Sequence, residues 1–292
     1  MSDRVRWETD GRDWPNRDHS RFVAAGRVRW HVQVMGAGPV LLLLHGTGAA
    51  THSWRALAPL LAEHFTVVAP DLPGHGFTTG RPLGGLSMAA IARALGEVLA
   101  VLDLTPDAIV GHSAGAAIAL RLSLDGIVAP NKVVGLNAAL MPFPGLAAKI
   151  FPAFARLLFV NPFAPMIFSR IARQSGETGK FLERSTGSRI DAAGVGLYQR
   201  LFSTPAQCSG AITMMADWDL ESLARDLPRV RAPLLLVHGD KDAAIPLSSV
   251  NDAAGLAQGS KVMVLPGLGH LAHEEQPGQL AAIIVDFVGG RA

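Results

Sequence analysis

Val110-Gly111-His112-Ser113-Ala114-Gly115 places a serine between two glycines, at the point where a short apolar run changes to a helical pattern. An apolar run at 108–110 followed directly by a helical pattern at 114–124 indicates a buried strand that turns into a helix. In a nucleophile elbow the serine occupies a strained turn, and the glycines let neighbouring backbone pass without Cβ clashes. The pattern therefore predicts that the Ser113 hydroxyl projects from this turn as a nucleophile.

Short apolar runs and helical patterns alternate along the rest of the chain. Runs that are apolar throughout are typical of parallel strands covered by helices on both faces. Six such runs occur, and two alternating runs at 21–25 and 28–34 predict an antiparallel hairpin at one edge of the sheet. The six runs are 40–44, 66–69, 108–110, 132–136, 234–237 and 261–265, and the helical patterns are 54–64, 87–102, 114–124, 247–257 and 279–288. We therefore predict an α/β fold with a mostly parallel, eight-stranded, doubly wound sheet.

A helical insertion is predicted between the fourth and fifth of these six runs, where prolines are frequent and no strand pattern occurs. This predicts a sheet domain of residues 1–139 and 226–292 with an inserted helical cap at 140–225. The cap is rich in apolar side chains, which is compatible with a pocket for a large apolar substrate, with a face towards a membrane or protein, or with ordinary burial. The expected pocket residues are Phe143, Phe151, Phe154, Met166 and Trp218.

Two later strand ends supply an acid and a base in the order that serine chemistry takes on a doubly wound sheet. A serine hydroxyl needs a histidine to take its proton, and that histidine needs an acid to fix its tautomer. Asp240 and Asp242 follow the strand at 234–237, and His270 follows the strand at 261–265. His270 is the predicted base, whereas His273 is expected on a helix surface.

These motifs resemble the α/β-hydrolase family along nearly the whole chain. The acid loop of that family reads G-x-x-D-x-x-x-P, which matches Gly239 to Pro246 and selects Asp242 over Asp240. The other acid position of the family is occupied here by Asn137, and an amide cannot carry that charge. The resemblance therefore implies an α/β-hydrolase fold with Ser113, Asp242 and His270 as the catalytic residues. A serine nucleophile excludes the relatives that use an aspartate there, the haloalkane dehalogenases and epoxide hydrolases.

The run His45-Gly46-Thr47-Gly48 resembles the oxyanion loop of the same family. The resemblance implies that the backbone N–H groups of Thr47 and Ala114 point at a developing oxyanion. His45 and His112 flank this position, and we expect them to support the site by packing rather than to act as bases.

The N-terminal segment carries a closer resemblance. The run from Trp7 to Arg17 and the run from His45 to Trp54 are similar to the α/β-hydrolase-like accessory proteins of magnesium chelatase in bacteriochlorophyll biosynthesis. This implies a porphyrin ligand such as protoporphyrin IX or its magnesium form, with magnesium-chelatase subunits as partners. Arg156 or Arg170 would meet the propionates. The chain has no G-x-x-x-x-G-K-[ST] phosphate loop, so it would not insert magnesium on its own.

Composition narrows the remaining function classes. The 292 residues are 49% hydrophobic and 17% charged with a formal net charge of +2, and the 26 basic side chains are scattered rather than clustered, so we expect no nucleic-acid partner. One cysteine and no apolar signal segment favour a cytoplasmic location. No spacing indicates a metal site, and no cofactor is expected. Membrane-surface contact through the cap remains open.

Two functions of different class remain. The first is a serine hydrolase that acts on an ester or related acyl bond of a hydrophobic substrate, linked to magnesium-porphyrin and bacteriochlorophyll biosynthesis. The second is an accessory protein that binds a porphyrin without catalysis. Its triad residues are then inherited from a hydrolase ancestor and have no catalytic role. A perhydrolase-like activity would use the same triad and would arise only as a side reaction.

Overall fold

The computed structural model describes residues 3–142, 161 and 163–290. Its centre is one mixed sheet with the strands β1 Ser20–Ala25, β2 Val28–Met35, β3 Val40–Leu44, β4 Thr66–Pro70, β5 Thr79–Gly80, β6 Ala108–His112, β7 Lys132–Leu136, β8 Leu234–Gly239 and β9 Lys261–Leu265. The strand order is β1-β2-β4-β3-β6-β7-β8-β9, with β5 paired to β2. Strand β2 pairs antiparallel with β1, β4 and β5, and the pairings along β4-β3-β6-β7-β8-β9 are parallel. The predicted mostly parallel sheet is confirmed.

Helices follow the strands and cover both faces of the sheet. They are α1 Trp7–Asp10, α2 Leu57–Ala62, α3 Met88–Leu102, α4 Ala114–Leu124, α5 Ala164–Ala172, α6 Glu177–Thr186, α7 Ala192–Phe202, α8 Pro205–Ala216, α9 Leu220–Asp226, α10 Leu247–Leu256, α11 Ala272–Glu275 and α12 Pro277–Gly289. Short 3₁₀ helices occupy Arg17–His19, Thr51–Trp54 and Leu227–Arg229. None of the helices in the described part of the chain is long and apolar enough to cross a membrane.

Two local predictions are corrected. Within the described residues the sheet has nine strands rather than eight, because the two residues of β5 pair with Val28 and Arg29 of β2. So short a strand leaves no pattern in the sequence. The helix predicted at 54–64 is shorter, since α2 starts at Leu57 after a 3₁₀ turn. Pro59 explains the difference: proline lacks an N–H donor and is tolerated only in the first turn of a helix.

The core forms two layers, one on each face of the sheet. Alternate side chains of β3 point to opposite faces: Leu42 and Leu44 join the cluster under α3 and α4, whereas Leu41 and Leu43 join the cluster under α2 and α12. All four are fully buried. Burial on both faces explains why the parallel strands are apolar throughout rather than alternating.

Between β7 and β8 the described residues form five α-helices, α5 to α9, one 3₁₀ helix and no strand. Leu223 of α9 already packs in the cluster under α3 and α4. The division into a sheet domain and a cap at 140–225 stays a prediction. The expected pocket residues Phe143, Phe151 and Phe154, together with Arg156, lie outside the described residues.

Candidate active site

Ser113 lies in a strained turn between β6 and α4. Its backbone has φ 52° and ψ −118°, a conformation that residues with a Cβ rarely adopt. The Ser113 amide donates to the Leu136 carbonyl at 2.9 Å, which anchors the turn to β7. A Cβ at Gly115 would overlap the backbone carbonyl oxygen of Leu44, and one at Gly111 would overlap the backbone of α4. The two glycines therefore have the close-approach role that the sequence pattern predicts.

Asp242 and His270 come together at the carboxyl ends of β8 and β9. The Asp242 Oδ2 atom lies 2.8 Å from His270 Nδ1. The other carboxylate oxygen, Oδ1, accepts from the amides of Ala244 at 2.8 Å and Ile245 at 2.9 Å. Burial alone would raise the pKa of Asp242, but the hydrogen bond and charge of His270 hold this pKa below its ordinary value. Asp242 is therefore an ionised carboxylate that accepts a hydrogen bond from Nδ1–H of His270.

Asn137 lies in the candidate site. From the sequence, its only significance is that an amide stands where the family's alternative acid would be. Its side-chain Nδ2 donates to Asp242 Oδ2 at 2.8 Å and to the Gly269 carbonyl at 3.3 Å. The Asn137 backbone also has a positive φ of 47°. The amide thus occupies the second acid position of the family and holds the acid that is present.

His112 connects the Ser113 turn to the His270 loop. The His112 Nε2 atom donates to the His270 carbonyl at 2.9 Å, and the two ring centroids are 4.8 Å apart. Burial lowers the pKa of His112 well below its ordinary value, so this ring is neutral. Within the described residues no hydrogen bond joins Ser113 Oγ to His270. Hydrogen bonds of this kind are often long before substrate binds.

The loop after β3 passes over Ser113. A Cβ at Gly46 would lie 3.1 Å from the Ser113 Cβ and 2.9 Å from His112 Nδ1, so this backbone lies directly against the Ser113 turn. The amide N–H groups of Thr47 and Ala114 have no acceptor in residues 3–142, 161 and 163–290. The Thr47 hydroxyl lies 3.5 Å from the sulfur of Met214. Two backbone donors are therefore available next to the turn.

His45 holds this loop in place, as expected of a supporting residue. Its Nδ1 donates to the Gly46 carbonyl at 2.8 Å, and its Nε2 accepts from the Leu72 amide at 2.9 Å. This pattern requires a neutral ring, and burial lowers the pKa of His45 accordingly.

The prediction that His273 lies on a helix surface is wrong. The ring is fully buried, with centroids 4.4 Å from His112 and 4.7 Å from Trp54. Burial lowers the pKa of His273 to about 3. The helix that carries it, α11, has only four residues, which is too short for a hydrophobic period to show which face is inside.

Two of the expected pocket residues, Met166 and Trp218, belong to the described residues, as does Arg170. Met166 is 42% exposed on α5, and Arg170 of the same helix is also exposed. Trp218 is half-buried against the core cluster of α3 and α4. Their assignment to a pocket stays a prediction.

The N-terminal segment reaches the loop after β3. Trp14 is 2% exposed, and its Nε1 donates to Thr51 Oγ1 at 3.0 Å. Arg200 of α7 forms two hydrogen bonds to the Asp13 carboxylate, at 2.6 and 2.8 Å. Trp7 packs against Phe22 of the edge hairpin with ring centroids 5.4 Å apart. The segment thus connects the sheet edge, the loop after β3 and α7.

The chain belongs to the alpha/beta hydrolase family, whose model matches residues 41–283. More particularly, it is 40% identical over 280 residues to the magnesium-chelatase 30 kDa subunit of Rhodobacter capsulatus, covering 95% of this chain and 97% of that protein.

A second relative and one solved structure are named as esterases. The chain is 31% identical to the pimeloyl-[acyl-carrier protein] methyl ester esterase of Aromatoleum aromaticum over 265 residues, 86% of this chain and 99% of that protein. Among solved structures, an esterase from Thermogutta terrifontis superposes with a TM-score of 0.73 at 20% identity, covering 92% of this chain and 98% of that chain. The structural likeness supports the fold alone.

Proposed function

We propose that the chain is a serine hydrolase in which Ser113, Asp242 and His270 form the catalytic triad. The observation that supports this most strongly is the 2.8 Å contact between Asp242 and His270 Nδ1, at strand ends that also bring the Ser113 turn close. The Asp242 carboxylate fixes the tautomer that leaves His270 Nε2 free to accept a proton.

The proposed reaction proceeds through an acyl-enzyme. Ser113 Oγ attacks the carbonyl carbon of the substrate while His270 Nε2 takes the hydroxyl proton. The amides of Thr47 and Ala114 donate to the resulting oxyanion. His270 then gives the proton to the leaving alcohol as the acyl–oxygen bond breaks. Water, deprotonated by the same nitrogen, releases the acid and restores Ser113.

The proposed substrate carries an ester or related acyl bond on a hydrophobic body, with a tetrapyrrole of magnesium-porphyrin and bacteriochlorophyll biosynthesis as the class to test. The name of the Rhodobacter capsulatus relative and the resemblance of the N-terminal segment support that link. They also favour magnesium-chelatase subunits as partners. The cytoplasmic location remains a prediction.

Contact with a membrane surface or a partner protein through α5 belongs to the same proposal. Large apolar side chains at and after the start of this helix are more than two-fifths exposed, which is typical of an interaction surface rather than of a core helix. They are Phe163, Met166, Ile167, Phe168 and Ile171.

A second candidate function is porphyrin binding without catalysis, as an accessory protein of magnesium chelatase. The 40% identity to a chelatase subunit favours it. The absence of a direct hydrogen bond between Ser113 and His270 in the described residues is compatible with it. In that case the triad is inherited from hydrolase ancestors and is not used.

One titration separates the two functions. The purified protein is titrated with protoporphyrin IX and with its magnesium form, followed by absorbance and tryptophan fluorescence, in parallel with short and long nitrophenyl esters. Ester turnover that Ser113→Ala abolishes supports the hydrolase. Saturable porphyrin binding that persists in Ser113→Ala and His270→Ala, with no ester turnover in the wild type, supports the accessory function and contradicts the first.

A further inference from the structure

The turn between α6 and α7 lies against the loop of the candidate base. The Thr186 carbonyl accepts from the His270 amide at 2.8 Å, and also from the Ala243 amide of the acid loop at 3.3 Å. Gly187 has a φ of 69°, and a Cβ there would overlap the Lys241 carbonyl. This turn, Thr186 to Arg189, is therefore packed between the loops that carry Asp242 and His270.

Glu275 joins the same turn to the His270 loop. Its Oε2 accepts from the Gly269 amide at 2.8 Å and from the Ser188 hydroxyl at 3.0 Å, and its Oε1 accepts from the Arg189 amide at 3.0 Å. The Ser188 hydroxyl in turn accepts from the Leu271 amide at 2.8 Å. Ser188 is 2% exposed.

The backbone amides of three successive residues around the candidate base thus all have hydrogen-bond acceptors. The Gly269 amide donates to Glu275, the His270 amide to Thr186 and the Leu271 amide to Ser188. A carboxylate that accepts N–H bonds is a stronger acceptor than a neutral group, so Glu275 is the main anchor of this set. Neither Glu275 nor Ser188 contacts the candidate nucleophile.

We infer that Glu275 and Ser188 are positioning residues, which hold His270 at hydrogen-bonding distance from Asp242. Through these two residues, the turn between α6 and α7 fixes the position of the His270 ring. The inference rests on the proposed function for its catalytic consequence. A small displacement of a catalytic group can reduce rate about 100-fold. An apparently peripheral carboxylate would therefore act on kcat rather than on substrate affinity.

Glu275→Ala, Glu275→Gln and Ser188→Ala test the inference. Glu183→Gln is the matched control, because Glu183 accepts from Arg189 Nε at 2.8 Å beside the same turn but has no bond to the His270 loop. We expect Glu275→Ala to lower kcat for a nitrophenyl ester roughly 10- to 100-fold with KM within about twofold. Glu275→Gln should recover part of the loss, since its amide oxygen can still accept from the Gly269 N–H.

The split between kcat and KM separates positioning from a merely structural effect. In Glu275→Ala and Ser188→Ala kcat should fall while KM and the far-UV circular dichroism spectrum stay close to those of the wild type, and Glu183→Gln should keep the wild-type kcat. An unchanged kcat in both variants would overturn the inference.

A spectroscopic readout keeps the test independent of turnover. In protein with ¹⁵N-labelled histidine, the Nδ1–H proton of His270, assigned by its loss in Asp242→Asn, should shift upfield or broaden in Glu275→Ala and Ser188→Ala. A resonance identical to wild type in both variants overturns the positioning role even in an inactive protein. If the wild type shows no turnover but the resonance is perturbed in the variants, the proposed function is contradicted and the positioning role of Glu275 and Ser188 is supported. If Glu275→Ala does not fold, Ser188→Ala and Glu275→Gln decide it.

Discussion

Asp242 Oδ2 lies 2.8 Å from His270 Nδ1, and Asn137 Nδ2 donates to that same oxygen at 2.8 Å. One carboxylate oxygen thus serves both the candidate base and the amide that stands in the alternative acid position. The arrangement fixes the His270 ring and leaves its other nitrogen directed away from Asp242. The hydrolase proposal depends on this relationship.

Removal of the acid should almost abolish hydrolysis without unfolding the protein. In Asp242→Asn the carboxamide no longer fixes the reactive tautomer of His270, and by precedent kcat falls about 10⁴-fold. The measurement is steady-state kinetics with a nitrophenyl ester, with circular dichroism to check folding. The matched control is Asp240→Asn, two residues earlier in the same loop, where the carboxylate accepts from the Gly267 amide instead. Equal losses in the two variants would show that Asp242 has no special role.

Gly115, two residues after Ser113, should tolerate no side chain. In Gly115→Ala the new Cβ meets the backbone carbonyl oxygen of Leu44, which cannot rotate away, so we expect the free energy of unfolding to fall by about 3 kcal/mol. Urea unfolding measures the change. The control is Gly196→Ala in the interior of α7, where a Cβ meets nothing within 4 Å and helix propensity should stabilise by about 0.5–1 kcal/mol. A Gly115→Ala protein as stable as wild type would contradict the packing at the turn.

Trp14 should stabilise the fold through its indole N–H as well as its ring. Trp14→Phe keeps an aromatic ring against Phe77 but loses the hydrogen bond to Thr51, which lowers the free energy of unfolding by about 1 kcal/mol. Trp14→Ala should lower it by about 3–5 kcal/mol. Trp218→Phe is the comparison, because the buried Nε1 of Trp218 has no hydrogen-bond partner among the described residues. If Trp14→Phe is no more destabilising than Trp218→Phe, the N-terminal contact with Thr51 contributes nothing.

Asp71 should make stability depend on acid pH. Burial alone would raise its pKa, but the charge and hydrogen bond of His31 lower the pKa to about 2 from an ordinary 3.8. Because the folded-state pKa is depressed, the stabilisation is complete above pH 3.8 and is lost as the pH falls through about 2. It amounts to about 2 kcal/mol at neutral pH.

Urea unfolding of the wild type and of Asp71→Asn between pH 6 and pH 2.5 measures this dependence. We expect the difference in unfolding free energy between the two proteins to shrink towards the acid end. Parallel curves across the range would mean that Asp71 is not held as a carboxylate by His31.

The parts of the fold that sequence predicts well are those with a local signal. Val40–Leu44 is found at the predicted residues, because a strand buried on both faces is apolar at every position and its neighbours are not. The Ser113 turn is likewise predicted, because the two glycines that its close backbone contacts require stand next to it in the sequence. The two-residue strand Thr79–Gly80 is missed because its only cause is pairing with β2.

Contacts across long sequence separations explain what the sequence left out of the candidate site. The sequence shows that Asn137 is not an acid, but it does not indicate that Asn137 donates to Asp242, 105 residues away. Glu275 and Ser188 are separated by 87 residues, and neither belongs to a motif of the chain that indicates a site. The burial of His273 depends on Trp54 and His112, which come from other elements. Spacing along the chain carries no record of these contacts.

The most direct test of the hydrolase account is covalent labelling with an alkyl fluorophosphonate, read by peptide mass spectrometry. The account predicts one adduct on Ser113, formed in the wild type, lost in Ser113→Ala and strongly slowed in His270→Ala. A wild-type protein that stays unlabelled at Ser113, or labelling at Ser113 that is as fast in His270→Ala as in the wild type, would contradict it.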